Sequence, residues 1–393
     1  MSVLSRSSKP HKTALVTGVT GFLGSHLTRE LLARGRRVIA FVKAREGAPA
    51  PRQRALEALS SVAALRDEEA KQLNVIEADI TEPAHSLMQR LGALAAEIDE
   101  VWHCAAIFKF QERDRDEAFA HNLEGTRNLL ELAIALGREQ TPRYFQISTA
   151  YVCGKQGGLV SEVLHEDQQF HNCYESSKNA AEQLVMDYHT TRDLDTVILR
   201  PSIIVGDSQT GAAGDSNTGY YGVIQAMYRL RNSLDANLGG RLKGRDMNLR
   251  VEGRADTELN LVPVDFVVQA MVLLADSPLN GKRIFHITNE SPPTLDLARD
   301  CLSLDLDVTG FHLVDAKSFD EMPMTAFEKM VRLSIEFQAP YMWTEPQFST
   351  ASLRSVLSEA VLPPPCIDMT MLRKLNGWFF GRLDQRFAIP TSS

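Results

Sequence analysis

Thr17-Gly18-Val19-Thr20-Gly21-Phe22-Leu23-Gly24 follows directly on the apolar run Thr13–Thr17 and opens a stretch in which Leu23, Leu27 and Leu31 recur every four residues. A strand, a glycine turn and an amphipathic helix in that succession form a phosphate-binding geometry. Glycines let the backbone turn sharply and approach a pyrophosphate, and the helix N-terminus supplies unpaired N–H groups and a partial positive charge. Thr17, Gly18, Thr20, Gly21, Phe22, Leu23 and Gly24 are therefore candidate dinucleotide contacts. Gly35 stands where the helix should be capped at its C-terminus.

Outward from this turn, short apolar runs alternate with helical patterns through the first two hundred residues. They predict strands at Thr13–Thr17, Val38–Val42, Asn74–Ala78, Val101–Cys104, Tyr144–Ile147 and Val197–Leu199, with a seventh at Arg283–Ile287. Strands separated by helices make βαβ units and a parallel sheet. Beyond Pro201 the pattern loosens into Gly-, Asn- and Asp-rich loops with helical pieces at Tyr221–Leu230 and Pro263–Ala275. The loop Asp207–Tyr221 reads either as a mobile lid or as an ordered turn.

Composition sets the class. The chain has 393 residues, 44% hydrophobic and 23% charged, with a net charge of −8. Its sequence pI is about 5.7. These values fit a globular protein with an ample core and no pull toward nucleic acid or an anionic membrane. The five cysteines, Cys104, Cys153, Cys173, Cys301 and Cys366, are odd in number and form no CxxC pair, which argues against a disulfide framework, against a metal site and for a reducing, cytoplasmic setting. Met1–Lys12 lacks an apolar h-region and reads as a frayed, disordered tail, and no apolar run is long enough to span a bilayer.

At the end of the second strand, an NAD-binding protein would carry a carboxylate for the adenosine ribose 2′-OH. This chain carries Lys43, with Arg45 nearby and Arg54 beyond the loop. Cations at this place, Arg above all, suit a 2′-phosphate and indicate NADP(H); solvated surface charge is the competing reading.

After the fifth strand comes Ser148-Thr149-Ala150-Tyr151-Val152, and later Tyr174-Glu175-Ser176-Ser177-Lys178 on a predicted helix. Tyr174 and Lys178, four apart, share a helical face. A free phenol has a pKa of about 10, which a neighbouring ammonium would lower toward a useful range. Thr149 would donate to the same substrate oxygen from the other side, and two aimed donors stabilise the charge that develops there.

Taken in order, TGVTGFLG, ADIT at Ala78–Thr81, VWHCAA at Val101–Ala106, HNLEGTRNLLEL at His121–Leu132, STAYV, YESSK and LRPSIIVGDSQTG at Leu199–Gly211 resemble the extended short-chain dehydrogenase/reductases. Within them, the sequence is most similar to the thioester reductase and fatty acyl reductase ("male sterility") branch. The resemblance covers roughly residues 12–290 and implies an α/β, Rossmann-type doubly wound parallel sheet with a smaller, mostly C-terminal substrate domain. The expected division is a tail 1–12, an NADP-binding domain 13–205 with a returning segment near 258–290, and a substrate-binding part 206–257 and 291–393.

The resemblance makes Thr149, Tyr174 and Lys178 the catalytic triad, with Lys178 also on the nicotinamide ribose. It places Asp79 and Ile80 beside the adenine, Ala105 and Ala106 beneath the cofactor, and Pro201, Ser202 and Ile203 at the nicotinamide. Asn122 falls where relatives keep the active-site structure and proton path, though a helix-packing Asn would look alike. The implied reaction is NADPH-dependent reduction of an acyl thioester, on coenzyme A or an acyl carrier protein, to an aldehyde and conceivably on to an alcohol. The alternative is a two-electron dehydrogenase, ketoreductase or epimerase of the same fold. Between Arg229 and Arg254, seven basic residues, Arg241 and Lys243 among them, face three acidic ones and form a candidate docking patch for a phosphopantetheine, coenzyme A or acidic carrier; solvated charge is the other reading.

Overall fold

The computed structural model describes residues 12–137, 141–237, 239–240, 242–336, 339–343 and 346–387. Seven strands form the central sheet: β1 (Thr13–Thr17), β2 (Arg37–Val42), β3 (Leu73–Glu77), β4 (Glu100–His103), β5 (Arg143–Ile147), β6 (Thr196–Pro201) and β7 (Ile284–Ile287). Their order is β7-β6-β5-β4-β1-β2-β3. From β6 to β3 every neighbouring pair is parallel, with Leu15 beside Ile39 and Val101, and Trp102 beside Phe145. This is the Rossmann-type sheet that the alternating apolar runs predict.

The runs form strands because both faces are covered. All five residues of β1 are buried, as are all four of β4 and all six of β6, the pattern of a parallel sheet between helical layers. Trp102 stacks on Phe145 with ring centroids 3.9 Å apart and planes within 9°. Buried beside them, the Glu100 carboxylate accepts from Trp102 Nε1 at 3.1 Å, from Lys12 at 2.9 Å and from Arg36. Such a charge is tolerated inside only because it is multiply paired.

The strand order reverses between β1 and β4, both of which end at the same edge. In open α/β sheets that reversal, at the carboxyl ends of the strands, is where ligands bind. The helix Phe22–Ala33 starts there and buries Gly24, Leu27, Thr28 and Leu31. It ends at Arg34, and Gly35 turns the chain back with φ +77°.

By internal contacts the chain divides into two compact units, one of residues 1–152, 172–199 and 281–284, the other of residues 153–171, 200–280 and 285–393. The second unit contains parallel two-strand pairs, Ile203–Val205 with Leu261–Pro263, Asp246–Glu252 with Thr309–Val314, and Gly158–Val160 with Pro346–Phe348. Its helices include Tyr220–Asn237, Val264–Asp276, Leu295–Leu306 and Met369–Phe387. The first two match the expected helical pieces, the first running on by several residues. The expected tail 1–12 lies, except for Lys12, outside the described residues.

Candidate active site

The glycine turn is built for close backbone approach. Gly18 has φ +75°, and a Cβ on it would stand 2.7 Å from the Ala105 nitrogen and 2.8 Å from the Cys104 carbonyl carbon. A Cβ on Gly24 would lie 2.1 Å from the Gly18 oxygen. No L side chain fits either place. Gly21 caps the helix without any side-chain acceptor, so its first-turn N–H groups face outward with their dipole uncompensated.

The turn is fastened to the end of β4 through Thr17 and His103, the second of which was given no role from sequence. Thr17 Oγ1 accepts from the Ala105 N–H at 3.1 Å and lies 2.9 Å from His103 Nδ1. Burial, with the Lys178 charge adding to it, pushes His103 down to about 3 and keeps the ring neutral. Thus Thr17, Gly18 and Ala105 form one fixed floor.

The three cations expected at a 2′-phosphate divide into two groups. Lys43 pairs with Asp79 at 2.7 Å. Burial raises the Asp79 carboxyl, but Lys43 and Thr81 outweigh it and hold it below the usual carboxylate range. Arg54 donates to the Lys43 carbonyl at 2.8 Å, and its pKa is lowered by burial and by the like charge of Arg45. Arg45 and Arg54 therefore stand as repelling neighbours, the arrangement an anion relieves. Ile80 is buried against Gly125, where a Cβ would come within 2.8 Å of its Cδ1.

Tyr174 and Lys178 lie on the helix Cys173–Arg192, whose N-cap Asn172 accepts from the Glu175 N–H at 3.0 Å. Lys178 is buried and donates from Nζ to the Ile147 carbonyl, the last residue of β5, at 2.6 Å. The next residue, Asn179, donates to the Val152 carbonyl at 3.4 Å. The helix thereby grips both ends of the Ser148–Cys153 turn that carries Thr149. Thr149 is 7% exposed, and beside it the buried Ser148 hydroxyl has no hydrogen-bond partner among the described residues.

The electrostatics correct one expectation. Burial, and then the charge of Glu175, push the Tyr174 phenol well above its usual value. Burial lowers Lys178 to about 8, against the opposing pull of Glu182 and Cys104. The ammonium spends a proton on Ile147, and the phenol remains protonated at neutral pH.

Asn122 lies in a π-helical turn, Ala120–Glu124, a local irregularity often found at functional sites. Its amide exchanges two hydrogen bonds with Ile107, at 2.9 and 3.1 Å, and donates to Ser177 Oγ at 3.0 Å. Ser177 in turn donates to the Tyr174 carbonyl at 2.9 Å. Phe108 and Phe110, just after Ile107, contact the Tyr174 ring at 5.0 and 5.9 Å between centroids. Neither phenylalanine was singled out from sequence, where nothing marks their proximity to Tyr174.

Pro201, Ser202 and Ile203 belong to the second unit. Ser202 donates its N–H to Ile287 at 3.3 Å, its hydroxyl is buried without a partner among the described residues, and Ile203 pairs with Leu261. In this unit the loop after Val205 is an ordered turn. Asp207 accepts from Thr210 N at 2.8 Å, Ser208 Oγ donates to Asp265 at 2.6 Å, and Lys374 donates to the Ser208 carbonyl at 2.9 Å. The basic stretch is largely self-neutralised: Arg231 pairs with Asp235, Lys243 with Asp307, Arg250 with Glu328 and Arg254 with Asp256. Arg241 lies outside the described residues. Among the described residues no His, Cys, Asp and Glu cluster suits a metal ion, and no helix is long and apolar enough to cross a membrane.

The male sterility protein family model matches residues 16–271. The chain belongs to that family. It thereby joins the thioester reductase and fatty acyl reductase branch of the extended short-chain dehydrogenase/reductases, and the family model describes an NAD-binding domain, so the cofactor class is a nicotinamide dinucleotide. A Drosophila melanogaster protein provisionally named a fatty acyl-CoA reductase is 25% identical over 332 residues, covering 74% of this chain and 57% of its own length. The chain spans about half, or far less, of the length of the curated relatives it matches. The terminal R domain from the myxalamid PKS-NRPS biosynthetic pathway superposes with a TM-score of 0.74 at 21% identity, over 94% of this chain and 91% of that one. A thiolation-reductase di-domain from an archaeal non-ribosomal peptide synthetase gives 0.73 at 21%, over 95% and 76%. The residues fit the family's cofactor: the glycine turn follows the end of β1, where the strand order reverses, and the helix that starts there has no side-chain cap on its N-terminus.

Proposed function

We propose that this protein reduces an acyl thioester to an aldehyde at the expense of NADPH. The observation that carries the reading is a Tyr174 phenol held protonated, on the same helix as a buried Lys178 that is fastened to Ile147 just ahead of the turn carrying Thr149, together with the uncapped glycine turn. The family's membership among acyl reductases, and the thiolation-reductase title of a fold relative, support the substrate class.

In this reading Thr17, Gly18, Thr20, Gly21, Phe22, Leu23 and Gly24 hold the pyrophosphate, and Arg45 and Arg54 hold the 2′-phosphate that distinguishes NADP from NAD. Lys43, paired with Asp79, positions the loop at the adenine end with Ile80. Ala105 and Ala106 form the floor, and Asn122 fixes the adjoining loop. When bound, NADPH supplies a hydride for the carbonyl carbon. Thr149 and Tyr174 donate hydrogen bonds to the thioester oxygen as it gains charge, and such aimed donors are worth several kcal/mol in a dry site. Tyr174 passes its proton to that oxygen and recovers it when the hemithioacetal collapses to aldehyde and thiolate, which takes its proton from solvent. Lys178, cationic below about pH 8, favours the charge that builds on the oxygen.

The thioester arrives on coenzyme A or on an acyl carrier protein, and the protein works in the cytoplasm. The test is NADPH oxidation by the purified protein with acyl-CoA and acyl-carrier thioesters, with free thiol measured in parallel. NADPH consumption matched by thiol release and lost in Tyr174→Phe is the expected result. Turnover of a ketone or secondary alcohol with no thioester consumed would move the substrate to the two-electron dehydrogenases.

A further inference from the structure

Phe108 is 55% exposed, yet its ring lies against Tyr174. It is not loosely held. The segment carrying it is tied at alternate residues: Ile107 by both its N–H and its carbonyl to Asn122, and the Lys109 and Gln111 carbonyls to the Cys173 thiol at 3.0 and 3.2 Å. Lys109 also pairs with Glu117 at 2.9 Å. With the backbone fastened at 107, 109 and 111, the side chains between, Phe108 and Phe110, both reach the Tyr174 ring. Phe108 stacks on it with planes 29° apart, and Phe110 meets it nearly edge-on at 63°.

One face of the Phe108 ring is thus committed to Tyr174 while the rest stays open. A rigid apolar surface beside a proton-donating phenol has one chemical complement, an apolar group attached to the carbon whose oxygen that phenol serves. We propose that Phe108 is a specificity-determining residue, its open surface receiving the first methylenes of the acyl chain, with Phe110 wedging Tyr174 from the other side. The inference rests on the thioester reading for the identity of the chain and on the aromatic geometry alone for its place.

Each methylene that leaves water against the ring should improve kcat/KM by roughly fourfold until the ring is covered. The experiment compares acetyl-, butyryl-, hexanoyl- and octanoyl-CoA as substrates of the wild-type protein, Phe108→Ala and Phe108→Leu. Phe108→Ala is expected to lose about tenfold or more on hexanoyl-CoA and at most about twofold on acetyl-CoA, and Phe108→Leu to retain most of the chain-length gain. Equal loss at every length, or none at any length, would overturn the proposal, because a residue that merely supports the loop has no reason to discriminate. Equilibrium binding of the same thioesters to Tyr174→Phe, with and without Phe108→Ala, separates the two readings. If thioesters bind with a length dependence that Phe108→Ala removes but wild type never reduces them, the thioester reductase reading fails and the role of Phe108 stands. If they show no length-dependent binding, the role of Phe108 falls.

Discussion

Lys178 Nζ donates to the carbonyl oxygen of Ile147 at 2.6 Å, joining the helix that carries Tyr174 to the last residue of the central strand β5. The bond fixes an ammonium that burial has lowered to about 8, and two expectations depend on it.

The first concerns activity. Tyr174 remains protonated far into the alkaline range, so the group that titrates near neutrality is Lys178. The kcat/KM of the reductive reaction should therefore hold up to about pH 8 and fall above it as Lys178 loses its charge, since this parameter reports the free enzyme. A profile flat to pH 10 would show that the ammonium charge is dispensable.

The second concerns stability. The Lys178 amine drops from 10.5 to about 8 on folding. Between these values the unfolded chain binds more protons, so this group's contribution to stability rises with pH across that window, and below pH 8 its full penalty is present. Lys178→Met should raise Tm at pH 7 while abolishing turnover, and the gain should shrink when melting is repeated at pH 10. A lower Tm at pH 7 would mean that the bond to Ile147 outweighs desolvation.

Arg45 and Arg54 repel one another through the loop after β2. Arg45→Ala and Arg54→Ala should each weaken NADPH by about 10- to 100-fold, the worth of a charge-assisted bond of roughly 1.5–3 kcal/mol, and leave NADH nearly unchanged. Cofactor titrations by quenching of nicotinamide fluorescence give both affinities directly. Lys43→Ala, with its charge already answered by Asp79, should have the smaller effect; equal weakening of both cofactors would locate these arginines away from the 2′-phosphate.

Gly24→Ala places a methyl carbon 2.1 Å from the Gly18 oxygen. The turn must move, at an expected cost of about 1–3 kcal/mol and with loss of dinucleotide binding. Gly47, where a Cβ meets nothing within 4 Å but φ is +71°, serves as the contrast: Gly47→Ala should cost about 1 kcal/mol of backbone strain and spare the cofactor.

Much of the central sheet is legible because a strand buried on both faces must be apolar throughout. Thr13–Thr17 needs no adjustment at all, and the other strands move by a residue or two. The glycine turn is equally plain, since Gly18 and Gly24 admit no other residue. Less legible is whatever joins distant segments. Gly158–Val160 pairs with Pro346–Phe348, too short and too far apart for periodicity to reveal. The basic stretch looked available because its partners Asp307 and Glu328 come much later in the chain. The expected lowering of Tyr174 failed for a related reason: helical spacing puts Lys178 on the same face as the phenol, but it cannot show that the ammonium turns toward Ile147.

The two compact units are interleaved along the chain, which passes from one to the other after Val152, His171, Leu199, Asn280 and Ile284. Recombination between relatives therefore has few clean seams. A crossover after Val152 parts the segments of the first unit alone, one after Ile284 parts those of the second alone, and one after His171, Leu199 or Asn280 parts both. Laboratory chimeras joined after Val152 or after Ile284 should therefore fold more readily than those joined after His171, Leu199 or Asn280.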